Sequence, residues 1–189
     1  MEIDDKITVF SRQYFSLPYE VKVTTYDGRA YLQAIDEKYD VVMVDAYQDI
    51  TIPFQMSSVE FFTMVKEHLN ENGVMVVNMN MRGNNEGNIN QYLSDTIASV
   101  FDHIVTVDVD GSTNRELYAS SNADMVKTLE NNANETGNSD LRDMMLHVAD
   151  TSSVYEAGGY IMTDDKATVE LLGMPVNDQL VQGGVANYK

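Results

Sequence analysis

Five carboxylates, Glu2, Asp4, Asp27, Asp45 and Asp49, stand where a pocket built on a sheet would use them. In open α/β sheets the ligand lies beyond the carboxyl ends of the strands, where an acid can accept from hydroxyl or amino donors or face a cation. Asp45 is the best placed, because it directly follows the apolar run Val41-Val42-Met43-Val44. An acid ending a second strand can accept both ribose hydroxyls of a nucleoside, which gives Glu2 one reading; an exposed terminal charge is the other. Asp27, in Tyr26-Asp27-Gly28, equally suits a turn whose side chain organises the backbone.

Other chemistries find little support. With no cysteine there are no disulfides, thiolate nucleophiles or cysteine-based zinc sites, and His68, His103 and His147 lack metal-ligand spacing. No metal is expected. Ser57-Ser58 reads as a helix cap rather than a nucleophile, and the 12 methionines read as core filling. The net charge of −18, from 30 acidic and 12 basic residues, opposes nucleic acid phosphates and anionic lipid and favours a cationic partner. No apolar stretch approaches the length of a membrane span, and Met1-Glu2-Ile3-Asp4-Asp5 is unlike a targeting leader, so a cytoplasmic protein is expected.

The elements that must position these acids alternate. Residues 5–16 have helical apolar spacing, Val21–Thr25 is β-branched, and Arg29–Glu37 can form a turn or two of helix. Tyr39–Asp45 has the pattern of a strand buried on both faces of a parallel sheet. Ser57–Glu60 caps a helix running to Leu69 and closed by Asn72-Gly73; Val74–Asn78 follows as a strand, 82–88 as a loop and Ile89–Phe101 as a helix. His103–Asp110 and Arg115–Ser121 read as an antiparallel pair at the sheet's end. A short surface helix and a loop over 122–140, a helix over Leu141–Ala149, a strand at Tyr160–Thr163 and a helical turn at Thr168–Leu172 complete the pattern. The fold class is α/β, Rossmann-like, a mostly parallel sheet with an antiparallel C-terminal hairpin. Residues 1–175 form one domain and 176–189 a tail.

The order of these pieces resembles that of the spermidine synthases, the polyamine aminopropyltransferases, and especially of spermidine synthase-like domains fused to membrane transporters. The matching stretches are Glu2-Ile3-Asp4, Asp27-Gly28-Arg29-Ala30-Tyr31-Leu32 and Tyr39–Tyr47, then Ile52-Pro53-Phe54, Glu60-Phe61-Phe62, Asn72–Asn78 and Thr163-Asp164-Asp165. The resemblance implies a methyltransferase-type Rossmann fold that binds decarboxylated S-adenosylmethionine as co-substrate, with no prosthetic group. It implies Glu2 as the ribose acid, Asp27 with Gly28 at the adenine, and Asp45 and Asp49 as the catalytic carboxylates. Tyr47 and Asp165 would line the polyamine site. The first strand and glycine-rich loop of that fold are missing ahead of Glu2, which leaves the strand at Val41 without a neighbour and leads us to expect self-association into a homo-oligomer. A methyltransferase relative using S-adenosylmethionine and a non-catalytic, self-associating remnant are the alternatives.

Overall fold

Helices begin where a side chain can accept from its own first turn, a device contributing about 1 kcal/mol per helix. Asp4 accepts from the Lys6 amide (2.9 Å) to start α1 (Asp5–Tyr14), and Asp27 accepts from the Ala30 amide (2.8 Å) to start α2 (Gly28–Ala34). Ser58 caps α3 (Val59–Glu67), Asn88 caps α4 (Ile89–Ala98) and Asn138 caps α6 (Ser139–Thr151), whereas α5 (Met125–Glu135) has no side-chain cap. The computed structural model describes residues 1–46, 52–79, 86–112, 114–167, 169 and 172. They divide into a first unit, Met1–Glu37, and a second that begins at Lys38.

In the first unit, α1 ends through Ser16, whose φ of 56° lets the Phe15 and Leu17 amides both return to the Ser11 carbonyl at 3.1 Å. The Arg12 guanidinium then fixes the following loop, donating to the Pro18 and Val21 carbonyls at 2.8 and 3.0 Å and lying 5.0 Å from the Tyr19 ring centroid. The strand expected at Val21–Thr25 reduces to one parallel bridge between Glu2 and Thr25. Glu2 donates to the Thr24 carbonyl and accepts from the Tyr26 amide, each at 3.1 Å, so the pairing is parallel but one residue long. β propensity alone does not extend a ladder when the partner segment turns at Asp4 into the cap of α1.

The second unit is a five-stranded sheet in the order β1 (Tyr39–Val44), β2 (Leu69–Met79), β4 (Arg115–Ser120), β3 (His103–Asp108), β5 (Ser153–Val154). Expected to be mostly parallel, it is mixed: β1 and β2 pair in parallel, while the β2–β4, β4–β3 and β3–β5 pairs are antiparallel. β1, β2 and β3 nevertheless run in one direction, because the hairpin folds β4 back between β2 and β3. The α/β, Rossmann-like class holds. The helix expected to reach Leu69 ends at Glu67, and Asn72-Gly73 belongs to an irregular stretch of β2 rather than a helix cap. A Cβ on Gly73 would lie 3.0 Å from the Tyr39 carbonyl oxygen, so this close passage of β1 and β2 needs glycine.

Register divides the sheet's side chains into two faces. Val44, Met75, Val77, Leu117, Ala119 and Ile104 share a buried face, and Phe61, Phe62 and Val65 of α3 and Leu93 and Ile97 of α4 join them in the core. On the other face Val105 and Val107 are buried, but Val41 is 54% and Met43 74% exposed. The expectation that β1 is buried on both faces therefore fails. An apolar run records what a strand is suited to contact; β1 is an edge strand, paired only with β2 among the described residues.

Asp95, 1% exposed on α4, anchors the chain after β5: it accepts from the Tyr155 hydroxyl (2.7 Å) and from the Gly158 and Tyr160 amides (2.8 and 3.0 Å). Burial, then the hydrogen bond to Asp95, push the Tyr155 phenol well above the ordinary tyrosine range. Next, the Met162 amide donates to Thr96 Oγ1 (3.0 Å) and its carbonyl accepts from the Val59 amide (2.9 Å). Tyr160–Thr163 is consequently not the expected strand, since helices α3 and α4 take its backbone groups. Val169 and Leu172 are helical; the rest of the expected turn at 168–172 is only partly described, and most of the 82–88 loop and the 176–189 tail lie outside the described residues.

Candidate functional site

Parallel strands β1 and β2 end side by side, and antiparallel β4 begins at the same level. The Val44–Val77 register brings Asp45, just past β1, beside Asn78, and Asn78 stands directly opposite Glu116. Asn78 Nδ2 donates to Asp45 Oδ1 at 3.2 Å. Met43, Val44, Asp45, Val76, Asn78 and Glu116 line one shallow depression on the incompletely covered face. Partial burial raises the Glu116 carboxyl above its ordinary range, and the Asp45 charge raises it further. Tyr118, two residues along the same face, is raised by burial and by Glu116. Among the described residues neither Asp45 nor Glu116 has an ion-pair partner, and the buried Asn78 Oδ1 accepts no hydrogen bond. The Asp45 and Glu116 carboxylates line the depression without a cation among the described residues, which suits a ligand that brings N–H donors and positive charge.

Within the first unit, the backbone bridge sets Glu2 against the segment leading into Asp27. Glu2 Oε1 accepts from the Asp4 amide at 3.0 Å, and Asp27 Oδ1 is committed to the α2 cap. Gly28 opens that helix. Asp27 therefore performs the turn-organising role its sequence context suggested, and only its second oxygen is left for a ligand.

Tyr47 and Asp49 lie outside the described residues. Asp165 is exposed in the turn closed by the Thr163–Lys166 bridge. Its neighbour Asp164 makes the specific contacts: Oδ1 accepts from Ser58 Oγ at 2.5 Å and its amide donates to Glu60 Oε2 at 3.0 Å, fastening this turn to the start of α3. The sequence reading missed Asn78, Glu116 and Asp95. Asn78 and Glu116 were accessible in principle, since a hairpin strand returning beside β2 must begin at the parallel strands' carboxyl ends. Asp95 gave a weaker signal, an acid between Leu93 and Ile97 on an apolar helix face. No group of three or more His, Cys, Asp or Glu side chains among the described residues is arranged to hold a metal, and no described helix is long and apolar enough to cross a membrane.

Comparison with known proteins finds that residues 1–109 match the spermine/spermidine synthase domain family. Over its whole length the chain is 50% identical to a probable polyamine aminopropyl transferase of Bifidobacterium longum (strain NCC 2705), and it covers 46% of that relative. The chain thus spans about half the length of this curated relative. Two solved structures share the fold: a spermidine synthase from Thermotoga maritima (TM-score 0.58, 15% identity, 76% of this chain and 54% of that one), and human methyltransferase-like protein 13 in complex with SAH (TM-score 0.59, 18% identity, 87% of this chain and 75% of that one).

Proposed function

The chain belongs to the spermine/spermidine synthase family, and from that premise we propose that it takes part in aminopropyl transfer from decarboxylated S-adenosylmethionine to a polyamine. The observation that carries this reading is the acceptor-rich depression at the β1 and β2 ends, where Asp45 and Glu116 have no cationic partner among the described residues. In this reaction the amine nitrogen attacks the aminopropyl carbon next to the sulfonium, an N–C bond forms as the C–S bond breaks, and methylthioadenosine leaves with the electron pair. The new ammonium then loses a proton. Asp45 has the chemistry to hold the incoming amine and orient its lone pair, and in our reading Asp49 takes the proton. Glu2 and Asp27 accept from the nucleoside's ribose and adenine donors, with Gly28 leaving room for the base. Tyr47 and Asp165 complete the amine site.

We further propose that residues 1–175 act as one functional domain in the cytoplasm and that the chain works as a homo-oligomer. Supporting the last point, β1 pairs only with β2 among the described residues and exposes Val41 and Met43, and such a strand readily pairs with another chain. The test is to incubate the full chain with decarboxylated S-adenosylmethionine and 1,4-diaminobutane and follow methylthioadenosine by chromatography. Its release in step with a new triamine is expected. Consumption of intact S-adenosylmethionine instead would replace aminopropyl by methyl transfer, and no turnover of either would leave a binding role.

A further inference from the structure

Parallel strands β1 and β2 each hand the chain on to a helix, β1 to α3 and β2 to α4, and both connections leave from the strand ends where Asp45 and Asn78 stand. One stretch far downstream, residues 160–164, is bonded to the start of both helices. On the α4 side the Tyr160 amide donates to Asp95, its ring lies 4.7 Å from the Tyr92 ring, and its hydroxyl donates to Glu86 Oε1 at 3.2 Å, just ahead of the helix. Met162, fully buried, spans the two helices: its amide donates to Thr96 of α4 and its carbonyl accepts from the Val59 amide of α3. On the α3 side Asp164 Oδ1 accepts from Ser58 Oγ, and the Asp164 amide donates to Glu60 Oε2. Ser58 is itself fully buried, and its Oγ already accepts from the Phe61 amide as the cap of α3. Its hydroxyl proton therefore needs an acceptor that bulk water cannot supply, and Asp164 supplies it. Glu60, the acid expected to reach back toward its own helix cap, turns instead to the Asp164 amide. The tie extends back toward β1. Ser57 donates to the Phe54 carbonyl from both its amide and its hydroxyl, and Ile52 is buried, so residues 52–58 form one locked piece ending at Ser58.

We propose that Asp164 and Tyr160 are positioning residues: acting through Ser58 and Glu86, they hold the connections that leave β1 and β2 in one fixed arrangement at the strand ends. A tie of this kind needs a rigid anchor of its own. Asp95 and Thr96, buried on α4, provide it by fixing the backbone at Tyr160 and Met162. The reaction that this positioning serves rests on the aminopropyl-transfer reading; the tie between the two connections rests on the geometry. In-line transfer is sensitive to such placement, because an error of about 1 Å can cost about a hundredfold in rate.

The experiment follows the full chain by hydrogen exchange and by methylthioadenosine release from decarboxylated S-adenosylmethionine and 1,4-diaminobutane. Asp164→Ala strands the Ser58 hydroxyl and is expected to speed exchange about tenfold at the Met56 and Ser57 amides. Through the tie it should also speed exchange at the Gly87 amide, which donates to Gln91 Oε1 on the α4 side. Tyr160→Phe removes only a hydroxyl and should act in the reverse direction, loosening Ser57 from the Glu86 end; it carries the same test if Asp164→Ala does not fold. The turnover number should fall about tenfold in Asp164→Ala, with the KM for the S-adenosyl compound unchanged. It should recover in Asp164→Asn, which keeps an acceptor oxygen for Ser58. Adding Ser58→Ala to Asp164→Ala should cost little more, because both remove one bond, whereas general weakening of the fold would add. Exchange at Gly87 indifferent to Asp164→Ala and at Ser57 indifferent to Tyr160→Phe would overturn the proposal. So would an unchanged turnover number in Asp164→Ala, or a loss in Asp164→Asn as great as in Asp164→Ala. Coupled exchange in a wild-type chain that transfers no aminopropyl group would sink the transferase reading and leave the tie standing.

Discussion

Replacing Asp95 by asparagine changes no volume and should cost the fold a large part of its stability. The buried carboxylate accepts three hydrogen bonds, from Tyr155, Gly158 and Tyr160. An amide at this position keeps one acceptor oxygen and turns an NH2 group toward donors. Hydrogen bonds to a charged group contribute about 1.5–3 kcal/mol each, but Gly158 is exposed and can recover water when released, so we expect a net loss of about 2–4 kcal/mol. Against a typical domain stability of about 5–15 kcal/mol, that loss is readily measured. With no tryptophan in the chain, urea unfolding is best followed by far-ultraviolet circular dichroism. Hydrogen exchange should show the Gly158 and Tyr160 amides losing protection before the β2–β4 ladder does. A stability change below about 0.5 kcal/mol, or unaltered protection at those amides, would refute the idea that Asp95 holds this segment.

Gly158→Ala tests the same contact sterically: a Cβ there would stand 2.6 Å from Asp95 Oδ2, and a loss of about 1–3 kcal/mol in urea unfolding is expected, with none seen if the segment can shift. Asp45→Asn should reduce methylthioadenosine release about a hundredfold; an unchanged rate and amine KM would remove Asp45 from the mechanism. Glu116 has a folded-state pKa raised above its unfolded value, so its relative contribution is fully present below the unfolded pKa and is lost as pH rises through the folded one. Glu116→Gln should therefore melt above wild type at neutral pH and lose that advantage in acid below the ordinary carboxyl range, and a pH-independent difference would contradict the burial of this acid. Val41→Lys, which places a charge on the open β1 edge, should shift sedimentation toward monomer if β1 mediates self-association; an unchanged distribution would place the interface elsewhere.

Caps and periodicities were readable because they are local: Ser58, Asn88 and Asp27 each act on an amide three residues away, and the hairpin partners of β3 and β4 are near in sequence. What failed depended on neighbours that no local pattern encodes. Val41 and Met43 belong to a run fit for full burial, yet what covers a strand is decided by the topology. Met162 looked like strand until the Thr96 hydroxyl and the Val59 amide, distant in sequence, took its backbone groups. The candidate site divides the same way. Asp45 was legible from its position after an apolar strand, whereas Glu116 acquires its significance only because β4 returns between β2 and β3.

That return also sets a timetable for synthesis. β2 is flanked by β1, made before it, and by β4, complete only at Ser120. At bacterial or eukaryotic elongation rates, the roughly 40 residues between the end of β2 and the end of β4 take about 2–8 s to translate. Throughout that interval the nascent chain carries β2 with one flank open, and the hairpin that will close it is still being synthesised. Slower translation prolongs the time for which that flank stays open to other chains.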